Sequence, residues 1–267
     1  MDNIFLSEIY IYPIKSLGGI KLSASEFGER GLKYDRRWML VNQDNKFISQ
    51  REFPKMSLIS TKITEDYLIC SAPNSDDLEI PLISDGENIT VNVWRSYCQA
   101  NVYEDKINNW FSNFLNNKVK LVYMPDSSRR EVNPDYAVND DIVSFADGYP
   151  FLLISQSSLD DLNSRLEDKI AMDRFRPNLV ISDSEAFSEH NHQSINIGNN
   201  NFFIVKPCER CVITTIDQSK GISSGKEPLK TLATYRKINN KIIFGDNIIS
   251  QNKSGSLKIG DQVSFKS

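Results

Sequence analysis

The stretch KPCERCVITTID, residues 206–217, holds two of the chain's four cysteines, Cys208 and Cys211. Residues 201–205 before it and 212–216 after it are rich in β-branched and aromatic side chains, and both read as strand. A thioredoxin-type dithiol needs its first cysteine at a helix amino terminus, where the dipole lowers the thiol pKa. Strand on both sides leaves no such helix. A zinc site needs four ligands, or three and a water. His190 and His192 are the only histidines and would complete a Cys₂His₂ set. Their polar setting, SEHNHQS, reads as a solvated surface loop, and the spacing to the cysteines matches no common zinc module. A third reading gives one thiolate to a metal already held by a cofactor, because soft sulfur suits such a centre. Pro207 and Arg210 would then stiffen the loop. A small apolar cysteine in a turn fits the same residues, so the motif taken alone leaves these readings open.

Around this motif lies a chain of 267 residues, 40% hydrophobic and 25% charged, the balance of a folded globular protein. At that length it buries most of its apolar surface without staples. The net charge is 31 − 35 = −4, which argues against a broad nucleic-acid surface. Two basic clusters, KYDRR at 33–37 and RFR at 174–176, stand against that background as local anion sites. Four cysteines do not make a disulfide scaffold. The start, MDNIFLSEIYIYPIKS, lacks the basic and apolar regions of a signal peptide, and no stretch reaches the ~20 apolar residues of a membrane span. The expectation is a cytoplasmic protein with reduced thiols.

Local patterns divide the chain. Residues 5–14, 38–42 and 89–94 read as strands separated by turn signals. Ile107, Trp110, Phe111, Phe114 and Leu115 recur at helical spacing and predict a helix over 104–116, followed by a strand over 118–124. The polar run 125–141 is a loop or a link. Residues 151–154 predict a strand, followed by a helix capped at Ser157 or Ser158, with Leu159, Leu162, Leu166 and Ile170 on one face. Strands are predicted over 179–182, 194–197, 201–205, 241–244 and 262–265, and a helix after Pro228. The class is α+β with strands dominating. Arg37 and Arg174 read as surface or structural residues and Trp38 as core.

Segments far from the cysteines narrow the reading. YPIKS (12–16), GLKYDRRW (31–38), DGYPFLLISQSSLDDLN (147–163), FRPN (175–178), RCVITTID (210–217) and KEPLKTL (226–232) occur in this order. Together they resemble the MOSC proteins, in particular two-part members with an amino-terminal β-barrel domain, the group of the amidoxime-reducing components and their bacterial relatives. The resemblance covers nearly the whole chain. It implies a β-barrel-like domain over 1–124 and a MOSC-type β-barrel domain with flanking helices over 125–267.

The resemblance also implies a molybdenum cofactor, a pyranopterin dithiolene ending in a phosphate or, in some forms, a nucleotide diphosphate. Cys211, which follows the arginine, matches the family's metal ligand and catalytic cysteine, and Cys208 then packs or shapes the loop. Lys15, Ser16, Arg36, Asp147, Gly148, Arg176 and Asn178 match positions of cofactor contacts. Arginine offers a planar fork to phosphate, lysine a point charge, and asparagine both donates and accepts. Glu209, between the cysteines, is small and neutral in some relatives, so its charge bears on local geometry and substrate preference. The implied activity is an oxidoreductase reducing N-hydroxylated compounds (amidoximes, hydroxylamines, N-hydroxylated base analogues), a route of reductive detoxification. Some relatives carry a ferredoxin domain with C-x₄-C-x₂-C spacing. No such run occurs here, so a separate electron donor is expected: a ferredoxin, a flavoprotein reductase or a cytochrome b5-like protein. A non-catalytic carrier of the same cofactor would use the same binding residues.

Overall fold

The computed structural model describes residues 4–266. Residues 1–3 of the first expected domain and 267 of the second lie outside the described residues. Strands dominate the α+β fold because the sequence alternates apolar and polar side chains over short runs. In Leu78–Pro81, for example, Leu78 and Ile80 are buried while Glu79 and Pro81 are exposed. The described residues form three α-helices, α1 (Asp105–Leu115), α2 (Gln156–Asn163) and α3 (Leu229–Tyr235).

The largest sheet runs in the order Ile20–Leu22, Phe5–Ile11, Leu179–Ser182, Phe151–Ser155, Lys241–Ser250, Asn200–Glu209, Ser194–Ile197, Val263–Lys266. Its one parallel pair on this path, Phe151–Ser155 with Leu179–Ser182, is joined through α2, since a parallel pair needs a crossover. Phe5–Ile11 lies deep in this sheet, with Ile9 opposite Leu179. Likewise Ala24–Gly28 pairs with Gly255–Lys258. The chain therefore delivers Tyr12–Ser16 beside the turn 175–178, although more than half its length separates them.

A second sheet joins Trp38–Val41, Lys120–Tyr123, Ser96–Val102 and Asn88–Val93. Trp38, Leu40, Met56, Phe111 and Leu121 share one core with the Tyr67–Ser71 strand's Leu68 and Cys70. Trp38 is fully buried, and its indole N–H donates to the Tyr103 hydroxyl at 2.8 Å. α1 forms where its spacing predicts. Ile107, Phe111 and Leu115 are buried on one face, and Asn116 closes the helix in the left-handed region at φ 48°.

Three local expectations shift. The cap of α2 is Ser155, whose hydroxyl accepts from the Ser158 amide, while the Ser158 hydroxyl accepts from the Phe187 amide instead. α2 ends at Asn163, so Leu166 and Ile170 lie beyond it, though both still pack on the core beneath. Residues 212–215 are a 3₁₀ turn rather than strand. The Thr214 amide and hydroxyl both donate to the Cys211 carbonyl (3.1 and 3.0 Å), and the Thr215 hydroxyl donates to that of Val212 (2.8 Å). Such bonds let a Thr pair win a turn from a β-favouring sequence.

Gly31 fastens one seam of the fold. It sits at φ +108°, and a Cβ there would lie 2.4 Å from the carbonyl oxygen of Pro150, directly before the strand Phe151–Ser155. Both the torsion and the approach exclude a side chain. Gly31→Ala is expected to destabilise the protein by about 2 kcal/mol or more, read from the urea midpoint. A loss below about 0.5 kcal/mol would contradict the close approach.

Candidate functional site

A cavity of about 290 Å³ opens between the sheet that carries Phe5–Ile11 and the turns around residues 50 and 94. All nine residues singled out in the sequence line it, together with Cys208. A larger groove of about 1520 Å³ runs beside α1 and holds none of them.

Beyond the Phe5–Ile11 strand, Lys15 is buried. Its Nζ donates to the Phe145 carbonyl at 2.9 Å and pairs with Asp147. Burial pushes its pKa down to about 8, against the pull of Asp147. The enclosing walls push the Asp147 carboxyl up, but Lys15 outweighs them and holds it well below the usual carboxylate range. The Asp147 side chain still opens to solvent over 63% of its surface. Next to it, Gly148 faces open space, and a Cβ there would meet nothing within 4 Å. Ser16, at φ 69°, is fixed through its carbonyl, which accepts from Gln50 Nε2 at 2.8 Å.

Arg36 and Arg176 come from distant turns and rest on one ring, with their guanidinium carbons 4.4 and 4.1 Å from the centroid of Tyr12. Arg36 Nη1 donates to Asp35 (2.7 Å) and to Asn178 Oδ1 (3.0 Å). Asn178 is buried, and its Oδ1 also accepts the Leu152 amide (3.2 Å) while its Nδ2 donates to the Tyr10 carbonyl (3.1 Å). Both acceptor sites of that oxygen are thus spent within the protein, and one amide hydrogen is left. Burial lowers the pKa of Arg176 to about 10.

Cys211 follows the end of the Asn200–Glu209 strand. Arg210, between it and Glu209, staples the loop. Its Nε donates to the Phe244 carbonyl (2.8 Å) and its Nη1 to that of Phe175 (3.0 Å). Glu209 is exposed and turns to Lys241 (3.1 Å) and Lys206 (3.5 Å). Partial burial pushes its carboxyl up, but the two lysines outweigh this and hold it below its ordinary value. Cys208, half-buried, has its thiol pushed up by burial.

Two residues that sequence reasoning missed complete the wall. Arg51 Nη2 donates to the Cys211 sulfur at 3.1 Å, and its guanidinium stacks 4.7 Å from the ring of Trp94. Trp94 Nε1 in turn donates to Asp147 at 3.1 Å. Nothing local marks Arg51. Trp94 carried a weak signal, a large aromatic at the tip of a strand pair. Arg174, read as surface or structural, also lines the cavity. Its Nη1 donates to Ser224 at 3.0 Å, and its side chain is 12% exposed. The histidines lie elsewhere and are not free loop residues. His190 meets Asp246 at 3.3 Å, and His192 stacks on Phe265.

Six basic side chains, Lys15, Arg36, Arg51, Arg174, Arg176 and Arg210, line the cavity against two carboxylates, Asp147 and Glu209. Arg176 Nη2 and Arg210 Nη2 are buried without a hydrogen-bond partner. Buried donors are ordinarily satisfied, so orphans on a cationic wall fit an anionic ligand. Among the described residues no three His, Cys, Asp or Glu side chains gather as a metal-binding group. A metal here would share a single thiolate with a ligand of its own.

Residues 4–118 match the MOSC N-terminal beta barrel domain and residues 140–264 the MOSC domain. The chain is 34% identical over 277 residues to mitochondrial amidoxime-reducing component 1 of Mus musculus, covering 97% of this chain and 81% of that protein. It is 34% identical over 276 residues to mitochondrial amidoxime reducing component 2 of Bos taurus, covering 97% and 82%. It is also 33% identical over 287 residues to the molybdenum cofactor sulfurase of Arabidopsis thaliana, where it covers 97% of this chain and 35% of that protein. With matches of this extent over both regions, the chain belongs to the MOSC family, in the two-part form that begins with the N-terminal β-barrel domain.

Proposed function

We propose that the protein is a molybdenum-cofactor-dependent oxidoreductase that removes oxygen from N-hydroxylated compounds. The observation that carries this reading is the cavity itself. An accessible cysteine stands in a cation-lined pocket with two orphaned guanidinium donors, in a relative of amidoxime-reducing proteins. When bound, the cofactor supplies the two-electron oxygen chemistry, and the protein supplies binding, orientation and electrostatics. Cys211 is the residue that would ligate the metal. Arg51 donates to the same sulfur and fixes its direction. Lys15, Arg36 and Arg176 would hold the phosphate end, and Arg176 Nη2 is the donor still lacking an acceptor. Ser16, Asp147, Gly148, Asn178 and Glu209 shape the rest of the wall. The overall change converts an N–OH group, two protons and two electrons into N–H and water. The electrons would come from a donor such as a ferredoxin, a flavoprotein reductase or a cytochrome b5-like protein.

The decisive experiment is turnover of an amidoxime by the molybdenum-loaded protein with an artificial reductant. A loaded protein that reduces none of a broad N-hydroxylated panel is a cofactor carrier instead. Within that assay Cys211→Ser should lower activity by more than about 100-fold, whereas Cys208→Ser should stay within about threefold of wild type. Equal losses in both would return the pair to a shared-ligand or dithiol role.

Lys15 makes ligand binding pH-dependent. Its folded-state value of about 8 lies below the usual lysine range, so the cation is present below that pH and lost above it. Affinity of the unloaded protein for a phosphorylated pterin should therefore fall about fivefold as pH rises from 8 to 9. Lys15→Met should flatten that profile, and an unchanged slope would remove Lys15 from the phosphate site.

Gly148 tests the cavity by filling it. Because a Cβ there meets nothing within 4 Å, Gly148→Val should leave the unfolding free energy within about 0.5 kcal/mol of wild type. Bound molybdenum, measured by elemental analysis, should nevertheless drop several-fold. Full occupancy would place the cofactor away from this wall.

A further inference from the structure

Trp94 lines the cavity, and the cofactor reading leaves its placement unused. It occupies the turn between the strands Asn88–Val93 and Ser96–Val102, at φ 59°. A bulky residue seldom adopts that region, and it persists where the surroundings hold it. Three segments do so here. The indole N–H donates to Asp147, the Arg51 guanidinium lies over the ring, and the Phe47 ring leans against it at 5.0 Å and 54°. Despite these contacts Trp94 is 45% exposed, while the other tryptophans lie away from the cavity, Trp38 fully buried and Trp110 on α1. A rigid, half-open indole at a cavity mouth is a stacking surface with little entropy left to lose.

Its reach is set by Arg51. One guanidinium touches both the Trp94 ring and the Cys211 sulfur. A flat molecule lying against the exposed part of the indole therefore sits beside the guanidinium that meets the Cys211 sulfur. Beside it, Lys15 and Trp94 both bond Asp147 Oδ1, and Oδ2 makes no hydrogen bond among the described residues. That oxygen is free to accept from an amino group in the plane of such a molecule.

We propose that Trp94 is a specificity-determining residue, a shelf that selects planar, conjugated N-hydroxylated substrates over small aliphatic ones. The proposal rests on the reductase reading for its substrate class and deepens it. Stacking on an aromatic of this kind corresponds to about tenfold in binding. It predicts a preference for aryl amidoximes, in which ring, C=N and amino group are coplanar, over hydroxylamine itself.

Two readouts test it. In the first, an aryl amidoxime is titrated into the unloaded protein and tryptophan fluorescence is followed. Quenching is expected in wild type and its loss in Trp94→Leu, and equal quenching in both overturns the shelf. In the second, the loaded enzyme is assayed on the aryl amidoxime and on hydroxylamine. The ratio of the two kcat/KM values should fall about tenfold in Trp94→Leu, through KM for the amidoxime, and recover most of the way in Trp94→Phe, which keeps the ring and loses the N–H. An unchanged ratio overturns the proposal, as does a loss that Phe fails to restore. Turnover of neither substrate by wild type, with quenching intact, sinks the reductase reading and leaves the shelf standing.

Discussion

Two guanidinium groups share the ring of Tyr12, and the site depends on how the fold tolerates them. Arg36 and Arg176 each lie within 4.4 Å of that centroid and raise the cost of one another's charge. Two buried groups relieve it. Asp35, 1% exposed, accepts from Arg36 while its other oxygen accepts the Tyr12 amide. Asn178 fixes Arg36 and at the same time ties Leu152 and Tyr10 together. The positive charge is thus held by groups that are themselves part of the backbone scaffold. Ser16, Arg36 and Arg176 all sit in the left-handed region, at φ 69°, 49° and 54°. Non-glycine residues keep that conformation only when the surroundings over-determine it. The strain and the repulsion are stored before any ligand arrives, which is the meaning of a preorganised anion site.

That arrangement requires the interleaved topology. Of the six cavity cations, Lys15, Arg36 and Arg51 come from the region matching the N-terminal barrel, and Arg174, Arg176 and Arg210 from the region matching the MOSC domain. Neither region holds the full cluster. They meet because Phe5–Ile11 pairs with Leu179–Ser182 and places residues 12–16 against the turn 175–178. A second tie closes the opposite side. Gln50 and Gln218 exchange two amide hydrogen bonds of 3.0 Å, and Gln50, fully buried, also donates to the Ser16 carbonyl. Arg51 is the next residue after this anchored glutamine, so its contact with the Cys211 sulfur inherits the precision of that buried amide pair.

Elements set by local periodicity were legible in the sequence. α1 follows from Ile107, Phe111 and Leu115, and the strand Phe151–Ser155 from its apolar run. Elements set by side-chain bonds to the backbone were harder. Strand propensity over 212–215 loses to the hydroxyls of Thr214 and Thr215, and the α2 cap moves to Ser155 because Ser158 is occupied by Phe187. The cavity cations, apart from Arg51 and Arg174, were legible only collectively, through the ordered motifs of a family. Arg51 and Trp94 carried no such mark. Their partners lie 160 and 53 residues away, and beyond the weak mark of an aromatic at a strand tip, contacts of that separation leave no local pattern.

The two sulfurs of CERC differ for a reason rooted in one residue type. Pro207 has no N–H to give to a ladder, and the Asn200–Glu209 strand is irregular on both sides of it, between Ile204 and Lys206 and between Pro207 and Glu209. Such bulges bend a strand and re-aim the side chains beyond them. Arg210 then locks the far side. Its amide donates to the Ile242 carbonyl (2.8 Å), and its side chain reaches the carbonyls of Phe244 and Phe175. Cys208 is left on the strand, half-buried in the cavity wall, its thiol pushed toward the neutral form by burial. Cys211 is carried beyond the end of the strand to the position that opens the 3₁₀ turn, where Arg51 meets it. A thioredoxin-type dithiol needs its first cysteine at a helix amino terminus with a lowered pKa, and Cys208 instead sits on a strand with its thiol pushed up by burial.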